Sequence, residues 1–417
     1  MKIALGWLCE HLDLPAALTP EQIADRLTLL GLEVEALTRY EQVPGSLVGV
    51  VVGRVLTCEP HPNADRLRVT TVDVAAGTPL HIVCGAPNVA AGQTVAVALV
   101  GTTLHPFGGK EPITLKATKI RGEASEGMIC AEDELGLGPS HDGIWVLPDT
   151  YVPGTPLATY LNLHTDWVYE IGVTPNRTDA LSHRGVARDL AASLNLALRP
   201  LPTYPVPQGL PPCPIQVTIE APARCHRYTG QVLEGLQVTY SPDWLQQRLL
   251  SIGSQPRNAV VDVTNYVLHD IGQPLHAFDR QAIAGDQLVV RTYPDGTPFT
   301  TLFDQVLALE ATDLVIADAD KPLCLAGVLG GKNSGVTEAT TAIFLEAAWF
   351  DAVSVRQTKR RHGLHTESAY RFERGVDPEQ VPQALAYAAG LLQSVVGGRL
   401  SQPIDHLRAP IVWAEVT

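Results

Sequence analysis

The sequence predicts an α+β chain of several domains, with a small β-barrel near the amino terminus and a mixed α/β region after it. Three observations carry this. At 417 residues the chain has room for two to four domains. Residues 46–147 break into short β runs separated by turn residues, while the stretches on either side return to helical spacing. Arg199–Pro214 holds seven prolines, the composition of a linker.

Taken in order, the first element is a helix from Thr19, which suits its cap. Pro20 follows at the first helical position, and Gln22 completes a capping box. Ile23, Leu27 and Leu30 share a face, and Gly31 ends the helix. The β runs are Val48–Leu56, Leu67–Val74, Leu80–Val83 and Thr94–Val100, punctuated by His61–Asp65 and Phe107–Gly109. Residues 183–196 are helical, with Val186, Leu190 and Leu194 on one side. Beyond the linker, Ser241-Pro242 opens a helix through Leu245 and Leu249 that Gly253 closes. Strands are predicted at Val260–Val263, Gln287–Thr292 and Asp313–Ala317. A last helix starts at Asp377-Pro378, with Gln380 in capping-box position, and runs through Val381 and Leu392 to Gly397.

Composition narrows the function classes. Hydrophobic residues at 45% and charged residues at 18% fit a soluble folded protein. The net charge of −14 excludes a broad phosphate binder and disfavours an anionic membrane surface, so any RNA contact must use local basic patches. Seven cysteines without a C-x-x-C pair argue against a disulfide framework and a structural zinc site; reduced thiols in a cytoplasmic protein are expected. The opening apolar run is too short for a signal peptide, and no membrane span is expected. Familiar motifs fail. Gly327–Asn333 approaches a P-loop, but Ala326 stands at its first glycine position and Asn333 at its Ser/Thr position. His365-Thr366-Glu367 lacks the P-C-x-x-C of zinc deaminases, and there is no G-x-S-x-G or H-E-x-x-H. No metal ligands are expected.

Four stretches together carry a resemblance. They are Met1–Leu14 with Leu27–Glu35; Val51–Val74 with Ile82–Gly101 and Lys119–Leu137; Val173–Ala192; and Val260–Asp279 with Leu325–Val336, Phe344–Phe350 and Arg360–Pro378. The set resembles the β-subunit family of bacterial phenylalanyl-tRNA synthetases over nearly the whole chain. The resemblance implies a tRNA-binding OB-fold barrel at residues 40–151. That barrel would be inserted in an amino-terminal α/β domain formed by residues 1–39 and 152–198. After a linker at 199–214, an editing domain would occupy 210–406. In the family a further half follows; residues 407–417, with a strand at Ile411–Thr417, read as the start of a next domain.

The resemblance also implies a chemistry, hydrolysis of mischarged Tyr-tRNA(Phe). Phenylalanine and tyrosine differ by one hydroxyl, and a hydrolytic site that hydrogen-bonds this group discriminates by a factor of about 10⁴ or more. Glu346 is the candidate partner, because it interrupts the apolar run Ile343–Phe350, where a carboxylate is expensive unless used. An ion-paired core glutamate fits the same pattern. His276, Asn265 and Thr366 are assigned to the hydrolytic site, His276 to orient water or the terminal ribose. A satisfied core histidine is the plain alternative for His276, and closing a strand end for Asn265 and Thr264. Thr264, Gly327, Gly330, Gly331 and Ser368 are assigned to substrate binding, the glycines through close backbone approach. Gln255 stands where the family often has Arg, and Arg257, two residues on along an expected strand, is the substitute for holding the terminal adenosine.

For RNA, Arg356, Lys359, Arg360 and Arg361 form the strongest basic cluster, with a solvated helix face as the alternative. The barrel is acidic overall, with seven Lys or Arg against twelve Asp or Glu over residues 40–150, and offers Lys116, Lys119 and Arg121 as a local patch. The partners implied are tRNA(Phe) and a synthetase α subunit, in an α2β2 tetramer. ATP and magnesium are implied for the intact αβ enzyme and no cofactor for this chain. A free-standing editing protein and a non-catalytic RNA-binding module are the competing readings.

Overall fold

The computed structural model describes residues 1–204 and 209–409. Residues 205–208 of the expected linker and the expected strand at Ile411–Thr417 lie outside the described residues. The chain forms two compact units, one of residues 1–38 with 166 onward, the other of Arg39–Thr165.

The second unit is built on a six-stranded antiparallel sheet. Its path runs Gly127–Ile129, Thr94–Leu99, Val50–His61, Ala64–Asp73 and Leu80–Cys84, with Val146–Leu147 also pairing to Thr94–Leu99. The sheet curls until its ends meet, where Glu126 N donates to His81 O at 2.8 Å, giving the near-closed OB-type barrel. Val55, Val72, Val95, Val97, Ile82 and Ile129 are buried together. Residues 152–165 belong to this unit and not, as expected, to the amino-terminal segment. The reason is backbone pairing: Val52 N donates to Thr155 O and Gly154 N to Val52 O, and Leu157 joins the barrel's second core.

In the first unit the helices are α1 (Leu5–Leu8), α2 (Pro20–Leu29), α3 (His183–Leu194), α4 (Asp243–Ser251), α5 (Ala259–Ile271), α6 (Ala352–Arg361), α7 (Glu367–Phe372) and α8 (Gln380–Val396). The α2 capping box forms as predicted: Gln22 N donates to Thr19 Oγ1 and Thr19 N to Gln22 Oε1. Lys2–Ala4, Thr165–Gly172 and Glu33–Glu41 make a three-stranded sheet. The larger body has three layers. A central sheet runs Leu275–Asp279, Ala342–Phe350, Cys225–Glu234 and Arg399–Leu400, with Ile404–Leu407 also on Cys225–Glu234. Alternation along Ala342–Phe350 sends Ile343, Leu345 and Ala347 into a core with α4, α5 and α8. Phe344, Ala348 and Phe350 enter a core with the second sheet, Gln216–Ile219, Gln287–Arg291, Val315–Ala317, Pro322–Leu325 and Leu329–Gly330.

Three expectations are corrected. Val260–Val263 is not a strand but the start of α5. Asn258 caps it through Val260 N and Val261 N, and Gly272, at φ 88°, ends it. A short apolar run cannot by itself separate a buried helix from a strand. The last helix begins at Gln380 rather than at Asp377-Pro378, and no capping box forms there, because the Asp377 side chain accepts from Glu379 N in a turn before the helix. The described part of the linker is not a free spacer. Arg199 N donates to His11 O, and the Tyr204 ring lies where a Cβ at Gly390 would stand, 2.3 Å away.

Candidate functional site

A cavity of about 620 Å³ opens beside the edge strand Leu275–Asp279 of the central sheet. One wall is α5, which contributes Val261, Thr264, Asn265 and Leu268. A second is the turn from Cys324 to Gly330, a third the start of α7 with Thr366, Glu367 and Ser368, and the sheet contributes His276 and Glu346. Gln255, Arg257, Leu302 and Phe303 also line it, and Gln255, Arg257 and Phe303 are exposed, which places them at its mouth.

The strand register sets the centre of this site. His276 and Glu346 are direct cross-strand partners, so their side chains leave the sheet on one face. Glu346 is 5% exposed and its Oε2 accepts from the Tyr228 hydroxyl at 2.6 Å. Burial pushes its carboxyl up to about 8, against the opposing pull of that hydrogen bond. Among the described residues it makes no ion pair, and its partner is a neutral hydroxyl. His276 packs edge-on against Phe278, and its Nε2 is sealed from solvent without a hydrogen-bond partner among the described residues. Burial lowers its pKa to about 4. The two facing groups are thus pushed in opposite directions, so near neutral pH the ring is neutral and the carboxyl largely protonated, ionising only as pH rises through about 8.

Of the residues predicted for this site, Glu346, His276, Asn265, Thr264, Thr366, Ser368, Gly327, Gly330 and Arg257 all line the one cavity. Thr264 and Asn265 stand one turn into α5, not at a strand end; Thr264 Oγ1 donates to Val261 O, whereas the Asn265 side chain makes no hydrogen bond among the described residues. The Thr366 hydroxyl is committed at both ends, accepting from Ala369 N as the cap of α7 and donating to Val328 O. Gly330 stands against His276, whose Cε1 lies 2.9 Å from where a Cβ would be. Gly331 is turned away from the cavity toward Leu323 O. Arg257 reaches the mouth from a turn, so the same-face argument from strand periodicity does not apply. Its N donates to the buried Asp262, which also accepts from Ser241, and this ties the turn to α5.

Three of the four cations of the basic cluster on α6 are engaged within the fold. Lys359 pairs with Glu373 at 2.8 Å, Arg361 with Glu310 and Asp313, and Arg356 Nη2 donates to Glu373 O. Only Arg360 of the four makes no such contact among the described residues. None of the four lines the cavity. In the barrel unit, Lys119 and Arg121 are exposed and Lys116 lines a separate cavity of about 610 Å³; none of the three is ion-paired among the described residues. Tyr228 and the exposed Leu302-Phe303 tip were not foreseen from the sequence. Gly230, two residues from Tyr228 in the same strand, marks only the close approach of Phe344 and gives no signal for Tyr228. Among the described residues no helix is long and apolar enough to cross a membrane.

Residues 50–156 match the family described as a putative tRNA binding domain, and residues 224–397 match the B3/4 domain. The phenylalanine–tRNA ligase β subunit of Porphyromonas gingivalis is 50% identical over 416 residues, 99% of this chain and 50% of that one. That of Salinibacter ruber is 49% identical over 409 residues, 95% of this chain and 49% of that one. The chain spans about half the length of these relatives. A solved N-terminal fragment of the phenylalanyl-tRNA synthetase β subunit from Pyrococcus horikoshii aligns over 58% of this chain and 67% of that one, at 15% identity and a TM-score of 0.33.

Proposed function

Because this chain belongs to the phenylalanine–tRNA ligase β-subunit family, we propose that its cavity hydrolyses tyrosine from mischarged tRNA(Phe) while its barrel helps hold the tRNA. The observation that carries this reading is Glu346. One of its oxygens is bonded inside the sheet; the other makes no hydrogen bond among the described residues, and the side chain lines a cavity large enough for an aminoacyl group. A substrate phenol donates to that oxygen. Phenylalanine leaves it unpaired, at the desolvation cost of a buried polar group.

The reaction is ester hydrolysis. Water attacks the carbonyl carbon, the bond to the ribose oxygen breaks, and that oxygen takes a proton. His276, which lines the cavity and is neutral, orients the water or the ribose hydroxyl, and Asn265 offers its free amide to the aminoacyl group. Thr366 serves by holding the Val328 turn against α7, its hydroxyl being already committed. Gly327 and Gly330 keep the turn close to the ligand. Arg257 at the mouth meets the terminal nucleotide in place of the arginine absent at Gln255, and Arg356, Arg360, Lys116, Lys119 and Arg121, none of them ion-paired among the described residues, meet phosphate.

For the complete enzyme the proposal extends to a partner α subunit, in an α2β2 tetramer, that makes Phe-tRNA with ATP and magnesium; no residue of this chain is assigned to either. Incubating the purified chain with preformed Tyr-tRNA(Phe) and Phe-tRNA(Phe) tests the reading. Faster loss of tyrosine is expected, and equal, uncatalysed rates for both would leave a non-catalytic RNA-binding module.

A further inference from the structure

The proposed hydrolysis gives Tyr228 no part, although among the described residues it is the one side chain hydrogen-bonded to Glu346. We propose that Tyr228 is a specificity-determining positioning residue, whose hydroxyl holds one oxygen of Glu346 inside the sheet so that only the other is offered to a ligand. This rests on the proposed hydrolytic reading.

The argument is geometric. Tyr228 lies on the Cys225–Glu234 strand opposite Ala348, on the same face as Glu346 and two residues from Gly230, which is Glu346's own partner. A Cβ at Gly230 would stand 2.0 Å from Phe344 Cζ, so the Phe344 ring fills that place. Tyr228 itself is fully buried and does not line the cavity; it stands behind Glu346 with its hydroxyl 2.6 Å from Oε2. A carboxylate free to turn about its last torsion presents either oxygen, or both, and has about four acceptor sites. Two oxygens facing a cavity accept from water or from an ammonium group as readily as from a phenol. Fixed by Tyr228, the group presents one acceptor in one direction, the requirement for recognising a single hydroxyl on a rigid ring.

The same bond bears on ionisation. The titratable groups facing Glu346 are Tyr228 and Cys225 from the adjacent strand, Cys324 from the second sheet and His276 from the edge strand, with Arg257 and Glu367 further out along the cavity. Burial keeps both thiols and the imidazole neutral. Among the described residues Tyr228 is therefore the single donor supporting the charged carboxylate, and removing it favours the protonated form, which cannot accept at that oxygen in the same way.

The test compares deacylation of Tyr-tRNA(Phe) and Phe-tRNA(Phe) from pH 6 to 9, after subtracting uncatalysed hydrolysis, for the full chain and for Tyr228→Phe, Glu346→Gln and the double variant. Tyr228→Phe is expected to lower the preference for the tyrosyl ester about tenfold, the worth of one hydrogen bond to a charged group, and to move its pH midpoint upward. The double variant is expected to match Glu346→Gln, because one residue acts through the other. A preference and midpoint unchanged in Tyr228→Phe, beside a preference lost in Glu346→Gln, overturns this inference and leaves the hydrolytic reading standing. Losses that simply add overturn it as well, since Tyr228 would then act by packing. No preference in the unaltered chain overturns both. Should Tyr228→Phe not fold, 3,5-difluorotyrosine placed at position 228 is a stronger donor and must move the midpoint downward; an unmoved midpoint overturns the inference.

Discussion

The two cavities have nearly the same volume, about 620 Å³ beside the central sheet and about 610 Å³ in the barrel unit, but their walls differ in kind. In the barrel cavity the polar groups are already satisfied or in water. Ser125 Oγ donates to Gly127 O and accepts from Val83 N, Glu134 accepts from Ala131 N, and His141 bonds Asp133 at 2.8 Å; Lys116 and Asp142 are exposed. Between them lie Val83, Met128, Ile129 and Ile144, as in any apolar cleft. In the other cavity a carboxylate and an imidazole have been taken out of water, and each keeps a polar atom without a partner among the described residues. Desolvation left uncompensated, not volume, separates a candidate reactive site from a hollow.

The comparison is sharpened most by Glu346→Ala. Above about pH 8, where the carboxyl is ionised, loss of a charge-assisted hydrogen bond is worth roughly 1.5–3 kcal/mol, so Tyr-tRNA(Phe) hydrolysis should fall about ten- to a hundredfold. Phe-tRNA(Phe) should be hydrolysed no more slowly. Lys116→Ala, in the matching cavity, should leave the ratio of the two rates where it was; a changed ratio would break the comparison.

A smaller effect runs the other way. Replacing Lys119 and Arg121 by alanine should weaken tRNA binding and reduce the slope of log affinity against log salt by about 1 for each phosphate no longer neutralised. The ester ratio should not move. Filter binding across a salt series checks the slope, and an unaltered slope removes these two residues from the RNA interface.

Thermal melts detect the smallest effect. The Glu346 carboxyl is raised to about 8 in the fold, so between its ordinary value near 4.5 and about 8 the native state binds a proton that the unfolded chain does not. Glu346 thus disfavours the fold increasingly as pH rises through that window. His276, lowered to about 4, acts oppositely between about 4 and 6.5, where the unfolded chain holds the extra proton and stability rises with pH. Glu346→Gln should therefore gain a few degrees in Tm relative to the unaltered chain between pH 6.5 and 8, outside the histidine window. Parallel melting curves across that range would show the carboxyl to be ionised already at pH 6.5.

What was legible in the sequence depended on how far each residue's partner lies along the chain. The α2 cap was readable because Thr19 and Gln22 are three residues apart, and the barrel because its strands and turns alternate locally. Glu346 stood out because a carboxylate in an apolar strand has no cheap explanation. The pairing of Arg361 could not be read because Asp313 and Glu310, its partners, lie some fifty residues earlier. Tyr228 was invisible for the same reason, its partner being 118 residues away. The α5 error was of another sort: Val260-Val261-Asp262-Val263-Thr264 is rich in β-branched residues, and only the Asn258 cap and the burial of the helix override that local preference.

The pairing of Lys2–Ala4 with Val168–Glu170 bears on the order of assembly. A ribosome makes the first strand, then all of the barrel, and only then the strand that the first one needs. Trp7 and His11 wait longer still, for Asp270, to which both are hydrogen-bonded at 2.8 and 2.7 Å. The barrel is continuous in sequence and meets all its own strands within residues 39–165, so it can close while the opening segment is still unpaired. Once folded, it turns a long floppy loop into a compact spacer, and the late, non-local closure between the first dozen residues and α5 then costs less chain entropy than the residue count implies.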